Sequence, residues 1–231
     1  MKSIFLKMLT YCLIVSGFAP GLVLGQVTKG YDQRSLLLNK ARDLYSSGQF
    51  SAANAYITAN WGKIEDLDFS VGEQSDLRLI MLVSGIISNE TYSVKQGRAL
   101  LESTEEKSVA VKLAYHLGHY YFALSMYPES IALLEKTDPL YLGTEEQERV
   151  QFEKAVGYFS LKRFDNARPF LRSLLEHKKS VYFDDAAYYM GFIKFSEKKY
   201  QDAAEWFMKI KDHPRYVSAV PFYLAFIEYH A

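Results

Sequence analysis

Two histidines stand three positions apart in one predicted helix, a spacing that can place two metal ligands on adjacent turns. They are His116 and His119. No Asp or Glu follows either of them at the fourth or seventh position, and the single Cys lies far away, near the N-terminus. The other histidines, His177, His213 and His230, are scattered. Because a third ligand is missing, we predict no metal site.

Adjacent acidic residues are the second feature that could perform chemistry. They occur as Glu105–Glu106, Glu145–Glu146 and Asp184–Asp185. Glycoside hydrolysis needs two carboxylates that face each other across a cleft, whereas neighbours on a helix point in different directions. At the start of a helix such pairs complement the helix dipole. The chain also lacks a nucleophile-elbow motif and the glycine-rich motifs that bind phosphates. We therefore predict no catalytic residue, no cofactor and no enzyme activity.

Charge and composition exclude several classes of protein. The 231 residues include 27 basic and 27 acidic side chains, so no charge excess favours binding to the phosphates of a nucleic acid. Small basic clusters at residues 177–179 and 198–199 are expected to be solvated ends of helices and turns. A hydrophobic content of 49% with 13 Gly and 6 Pro excludes a disordered or fibrous chain. One Cys cannot support a disulfide framework.

The first 25 residues have the layout of a cleaved secretory signal peptide. Two lysines precede an apolar run, Met8–Ala19, which is shorter than the roughly 20 residues that a membrane-spanning helix needs. Pro20–Gly21 would interrupt a longer span, and small or modest residues lead up to Gln26. Cys12 lies inside the apolar run, after a bulky residue, so we expect it to leave with the signal and to carry no lipid. The mature chain, from Gln26, would keep 25 basic and 27 acidic residues.

The rest of the chain repeats a short turn that carries an aromatic or aliphatic anchor, followed by a small residue three positions later. The predicted anchors are Phe50, Val94, Tyr127, Phe164 and Tyr200. Their separations of 44, 33, 37 and 36 residues cluster near a repeat of about 34. Apolar residues three and four positions apart surround each turn, which predicts two amphipathic helices per repeat.

Helix-start signals and prolines support the boundaries of these repeats. Thr144, with Gln147 three positions later, has the spacing of a capping box, in which Gln147 would reach back to the start of the helix. Pro139 and Pro214 fall where one repeat should pass to the next, because proline cannot continue a helix. Small residues at matched positions predict that the two helices of a repeat cross closely.

These features resemble tetratricopeptide (TPR) repeats. Leu117-Gly118-x-x-Tyr121 matches the family pattern best, and the parts around Tyr158 and Ala167 and around Gly191 and Phe207 match it well. The first two repeats are degenerate. The chain is most similar to the N-terminal part of long secreted TPR proteins of the Bacteroidota type, and the resemblance extends from about Ser35 to the C-terminus.

The resemblance implies an all-α fold, a right-handed superhelical solenoid of antiparallel helix hairpins that follows the signal peptide. Stacked hairpins bury a continuous core, which a single hairpin cannot do. The expected units span residues 34–66, 78–109, 111–144, 148–183 and 184–216, with a partial unit at 218–231.

The family resemblance places the inner face of such an array on the first helix of each hairpin, where aromatic residues recur in three rows. The first row is Tyr115, Phe152, Tyr188 and Phe222; the second is Phe122, Phe159, Phe195 and Tyr229; the third, between them, is His119, Val156, Phe192 and Phe226. Aromatic rings supply a large contact area at modest entropic cost. Two hypotheses remain for these rows, which are a binding groove for an extended peptide or helix and an ordinary hydrophobic core.

The last residues read as the first helix of a further hairpin. A solenoid normally ends in a polar helix, whereas residues 220–231 include Tyr223, Phe226 and Tyr229, which are not polar. We expect either that the chain is part of a longer protein or that this helix contacts a partner, such as further TPR units or an outer-membrane complex.

The sequence therefore predicts a non-enzymatic scaffold of the periplasm or outer-membrane periphery that binds a protein partner. It predicts no nucleic-acid partner and no transmembrane span after signal cleavage. Two alternatives stay open, which are a structural spacer in a larger envelope assembly and the repeat region of an enzyme whose catalytic domain lies beyond residue 231.

Overall fold

The computed structural model of the chain describes the backbone of residues 20–230 and the side chains of residues 33–230, and every regular element in this part is helical. The helices are α1 (Pro20–Ser46), α2 (Phe50–Asp66), α3 (Val71–Ile87), α4 (Thr91–Ser103), α5 (Lys107–Ala123), α6 (Tyr127–Leu134), α7 (Thr144–Ser160), α8 (Phe164–Glu176), α9 (Phe183–Ser196), α10 (Tyr200–Lys209) and α11 (Val220–His230). A short 3-10 helix, Pro139–Tyr141, connects α6 and α7. None of the helices in residues 20–230 is both long and apolar enough to cross a bilayer.

The helices form two compact units, one ending at Ser84 and one beginning at Gly85. In the first unit α1 packs against α2, and a core forms around Leu38, Ile57 and Leu77. In the second unit consecutive helices pack in hairpins, and each hairpin packs on the next. Stacked helix pairs of this kind are the architecture of an all-α solenoid, which confirms the predicted fold class at this level. Residues 1–19 and the side chains of 20–32, where most of the predicted signal peptide and Cys12 fall, lie outside the described residues.

Each first helix of a pair ends in the same left-handed turn. Its central residues have positive φ angles and are Gly48, Asn89, Ser125, Lys162 and Lys198. At the fourth turn Lys162 N–H donates to the Phe159 carbonyl at 2.8 Å, and Arg163 N–H donates to the Tyr158 carbonyl at 2.9 Å. This pair of bonds satisfies carbonyls at the helix end and turns the chain back into the next helix. Equivalent bonds close the other four turns, so the same backbone conformation recurs at all five turns.

The second anchor predicted from the sequence is wrong. The left-handed residues are 41, 36, 37 and 36 positions apart, and the anchor follows each by two positions. In the second turn that position is occupied by Thr91, whereas Val94 occupies the place of the small residue Ala53 in the first repeat and is buried. Thr91 is polar and so lacks the aromatic or aliphatic character of the other four anchors.

The helix starts also differ from the predicted ones. Gly143, not Thr144, precedes the first turn of α7, and its N–H donates to the Glu146 carboxylate at 2.8 Å. Gln147 instead donates to the Pro139 and Leu142 carbonyls, both at 2.9 Å. A reciprocal capping box does occur before α3, where Ser70 N–H donates to Glu73 at 2.9 Å and Glu73 N–H donates to the Ser70 hydroxyl at 3.3 Å. After this box α3 starts at Val71, seven positions before the start of the second predicted unit, 78–109. The bounds of the repeat units remain a prediction.

Small residues allow the two helices of a hairpin to cross closely, as the sequence pattern indicated. A Cβ atom added to Gly118 in α5 would lie 2.6 Å from Leu134 of α6, and one added to Gly191 in α9 would lie 2.8 Å from Phe207 of α10. Ser130 precedes Leu134 by four positions, and Ala203 precedes Phe207 by four positions. Both of these small residues are buried. Since nothing larger fits, these contacts set the distance between the paired helices.

Ser130 is the polar member of this set of buried small residues, and its hydroxyl has no hydrogen-bond partner among the described residues. The matched positions in the first, fourth and fifth repeats are alanines, namely Ala53, Ala167 and Ala203. Ser130→Ala should therefore raise the free energy of unfolding by about 1 kcal/mol, because it removes an unsatisfied buried polar group. Urea denaturation of the two proteins measures the difference, and a loss of stability in the variant would contradict it.

Candidate functional site

The candidate face lies on the first helices of the second unit. Its members recur at the first, fifth and eighth positions of a helical stretch, as with Tyr115, His119 and Phe122 in α5. This spacing places them on one side of each helix. Ala114, Leu117 and Gly118, on the neighbouring side of α5, are buried in the hairpin. The face therefore flanks the surface that each first helix buries against its own second helix.

The structure brings members of the face from consecutive hairpins into contact. The ring centroids of Phe122 in α5 and Phe152 in α7 are 6.5 Å apart. Phe159 of α7 and Phe192 of α9 are 5.3 Å apart. The same contact is repeated between α9 and α11, where the rings of Phe195 and Phe226 are 5.2 Å apart. Edge-to-face contacts of this kind link four successive first helices into one aromatic surface.

The second row also has a structural role at the turns. Its rings contact the anchors, with centroid distances of 5.8 Å for Phe122 and Tyr127, 5.3 Å for Phe159 and Phe164, and 5.6 Å for Phe195 and Tyr200. The anchor therefore closes the turn by packing on the aromatic residue that precedes the left-handed residue by three positions. In the first unit Tyr45 and Phe50 repeat this contact at 5.5 Å.

In α5, α7 and α9 the first row is covered by the connections between hairpins. Phe152 stacks on Tyr182 at 4.5 Å, and Tyr188 stacks on Tyr216 at 4.5 Å. Tyr115 is buried in a core cluster that also contains Leu142 of the preceding connection to α7. Burial raises the pKa of Tyr115 to about 12, so its hydroxyl stays neutral. Tyr115 is thus core rather than surface.

The third row is the least covered by other elements. Phe192 and Phe226 are half-buried, and 41% of the His119 side chain is exposed, while Val156 is buried. The last helix adds two strongly exposed rings from the outer rows, Phe222 at 68% and Tyr229 at 86%. The predicted rows therefore contain both core positions and surface positions.

A polar pair that sequence reasoning missed lies at the α5 end of the third row. His119 Nδ1 is 2.5 Å from an oxygen of Glu153 in α7, and the Glu153 side chain is only 3% exposed. The two residues are 34 positions apart, as are Lys112 and Glu146, whose ammonium and carboxylate are 2.8 Å apart. The repeat length read from the sequence could have found both pairs, had acids been sought one repeat downstream as well as on the same helix.

Ionisable neighbours of this pair are already engaged. Burial acts to raise the pKa of Glu146, but hydrogen bonds from Lys112 and from Gly143 outweigh it and leave that pKa lowered. Burial acts to lower the pKa of Arg149, but the nearby Tyr182 hydroxyl outweighs it and leaves that pKa raised. Burial lowers the pKa of His116 to about 4, so this imidazole is neutral at pH 7. The two histidines of the sequence pattern thus have different environments, and no group of three possible metal ligands occurs in the described part of the chain.

The acidic pairs that the sequence singled out form structural contacts. Asp185 accepts hydrogen bonds from Arg215 and from the Tyr216 hydroxyl, which holds the connection to α11 against α9. Asp184 lies 3.5 Å from His213. Glu106 accepts from the Ser108 hydroxyl at 2.7 Å at the start of α5. Each of these carboxylates is paired locally rather than directed across a cleft toward another acid.

Comparison with known proteins shows the fold. No family model and no curated protein sequence matches the chain. A solved structure of a MamA mutant has a TM-score of 0.58 and 18% identity, and the match covers 78% of this chain and 96% of that one. A second MamA structure, titled AMB-1, has a TM-score of 0.59 and 17% identity, with coverage of 79% and 92%. The described chain is therefore an all-α protein whose TPR-like helical fold is similar to that of MamA.

Proposed function

We propose that this protein is a non-enzymatic scaffold that binds a partner polypeptide on the aromatic face of its first helices. The observation that carries the proposal is the aromatic surface linked across α5, α7, α9 and α11, in which rings touch between hairpins yet remain partly exposed. Rigid aromatic side chains are suited to protein binding because they bury large areas and lose little conformational entropy. Packing from both sides fixes the rings in place, which lowers the cost of binding further.

Exposed members of the face provide the test. Phe222→Ser and Tyr229→Ser remove rings that are 68% and 86% exposed, so neither substitution should reduce stability by more than about 0.5 kcal/mol. Together they should weaken binding of a partner captured from an envelope extract by about tenfold or more, since aromatic side chains that become buried in an interface contribute strongly to its energy. Calorimetry or surface plasmon resonance measures the affinity, and circular dichroism checks the fold.

Tyr92→Ser is the matched control, because Tyr92 is 69% exposed on α4, away from the face. This variant should bind like the unmodified protein. Equal affinity of the Phe222→Ser, Tyr229→Ser double variant and the control would contradict a binding role for the face. The spacer function would then be favoured, since the members of the first two rows on α5 and α7 already have structural partners within the array.

We also propose that the protein works in the periplasm or at the outer-membrane periphery. The proposal depends on the signal-like residues 1–25. N-terminal sequencing of the protein recovered from the envelope should find Gln26 as the first residue. Recovery from the cytoplasm with Met1 intact would contradict the location and would leave the binding face unaffected. An enzyme with a catalytic domain beyond residue 231 stays the third possibility, and the reading frame of the gene distinguishes it.

A further inference from the structure

Glu153 is a charged residue in an interior position with one of its two oxygens unsatisfied. Its side chain is 3% exposed, Oε1 contacts His119, and Oε2 has no hydrogen-bond partner among the described residues. A buried carboxylate is costly unless it is paired, so its single contact has a strong influence on the partner. That partner is the one polar residue of the third row, whose other members are Val156, Phe192 and Phe226.

The chemistry of the pair determines which edge of the imidazole carries a proton. An ionised carboxylate only accepts hydrogen bonds, so His119 must donate through Nδ1–H. The neutral ring then has its lone pair on Nε2, at the edge opposite Glu153. Since 41% of the side chain is exposed, Nε2 is the polar atom that this row offers to a ligand.

We propose that Glu153 holds His119 in the Nδ1–H tautomer so that Nε2 acts as a hydrogen-bond acceptor that sets the register of the bound partner. This inference rests on the proposed binding function of the same face. Apolar contacts with Phe192 and Phe226 are non-directional, whereas one acceptor at the end of an aromatic row favours a single alignment. The partner class is a polypeptide segment with an N–H or O–H donor opposite His119 and apolar side chains along the rest of the row.

The charges around His119 do not offer an equivalent acceptor. Lys112 and Glu146 are paired with each other, and the Arg149 guanidinium is a hydrogen-bond donor only. His116, one turn earlier on α5, is kept neutral by burial. The pair Lys112–Glu146 joins the same two helices at the same 34-residue separation, so it provides a control for the structural effect of losing a pair between α5 and α7.

The tautomer can be measured without any partner. In a two-bond ¹H–¹⁵N correlation spectrum at about pH 8, where an ordinary imidazole is neutral, we expect His119 to show a protonated Nδ1 and an unprotonated Nε2. In Glu153→Met, which replaces the carboxylate by an apolar chain of similar length, His119 should change to the Nε2–H tautomer. Lys112→Met should leave the tautomer unchanged. A protonated Nε2 in the unmodified protein would overturn the proposal.

Register is tested with random 12-residue peptides displayed on phage and selected on the unmodified protein. The selected peptides should bind Glu153→Met and His119→Phe about five- to tenfold more weakly, because each variant loses one hydrogen bond to the peptide. They should bind Lys112→Met with unchanged affinity. Peptides that bind His119→Phe as tightly as the unmodified protein would overturn the role of His119 while leaving the aromatic face as the binding site. Failure to select any peptide, combined with the expected tautomer, would instead count against the binding function.

Discussion

Phe207→Ala is expected to reduce the free energy of unfolding by about 3–5 kcal/mol, as full truncation of a buried aromatic residue does. Phe207 is completely buried where α9, α10 and α11 meet. Its ring lies against Gly191 and stacks on Tyr223, with centroids 5.0 Å apart. Alanine would leave a cavity next to Gly191, and glycine has no side chain that could fill it.

Met208→Ala is the control, because the adjacent Met208 side chain is 53% exposed and its loss should cost no more than about 0.5 kcal/mol. Urea denaturation followed by circular dichroism measures all three proteins. A second variant tests the contact from the other side: Gly191→Ala should cost about 1–3 kcal/mol through overpacking against Phe207. A loss below 1 kcal/mol for Phe207→Ala would show that this hairpin is not closed by the Gly191–Phe207 contact.

The second large effect is an acid-dependent loss of stability caused by His116. Burial lowers its pKa from 6.5 to about 4, and nearby Lys112, His119 and Arg149 act in the same direction, whereas Glu146 opposes them. A lowered histidine pKa means that the unfolded chain takes up the proton first. The contribution of neutral His116 is therefore complete above pH 6.5 and is lost as the pH falls toward 4. A difference of this size corresponds to about 3–4 kcal/mol at most, and to less because His116 is not fully buried.

His116→Gln should remove this part of the pH dependence. The free energy of unfolding of the unmodified protein is expected to fall more steeply between pH 6.5 and 4 than that of the variant, as measured by urea denaturation at each pH. His177→Gln is the control, since His177 is exposed after α8, and its curve should follow that of the unmodified protein. Parallel curves for His116→Gln and the unmodified protein would contradict the burial of a neutral imidazole at this position.

Local patterns were sufficient to predict the helices and their pairing. Apolar residues with helical spacing recur around short turns, and the small residues at Gly118, Ala167, Gly191 and Ala203 are indeed buried where helices cross. These features depend on neighbours within one hairpin, so they are visible in a short stretch of sequence. The second anchor was wrong because Thr91, which follows Asn89 by two positions, is polar and lacks the apolar side chain that marks the other four anchors.

The surface of the first helices could not be predicted in the same way. An aromatic stripe has the same spacing whether it is core or groove, and the difference depends on what other elements cover it. Tyr182 and Tyr216, which come from connections without a repeated pattern, cover Phe152 and Tyr188. His116 and His119 have the spacing of two metal ligands in the sequence, but no local pattern indicates that Nδ1 of His119 contacts Glu153, one repeat away.

The sequence by itself determined that this chain is a series of helix hairpins, because helix periodicity, small crossing residues and turns are local properties. The tertiary structure decided which aromatic residues are covered, which acids are paired and where a buried carboxylate meets an imidazole. Those outcomes depend on contacts between residues about 30 to 35 positions apart, such as His119 with Glu153 and Asp185 with Arg215. Only the packing of one hairpin on the next creates such contacts, and no spacing within a single hairpin encodes them.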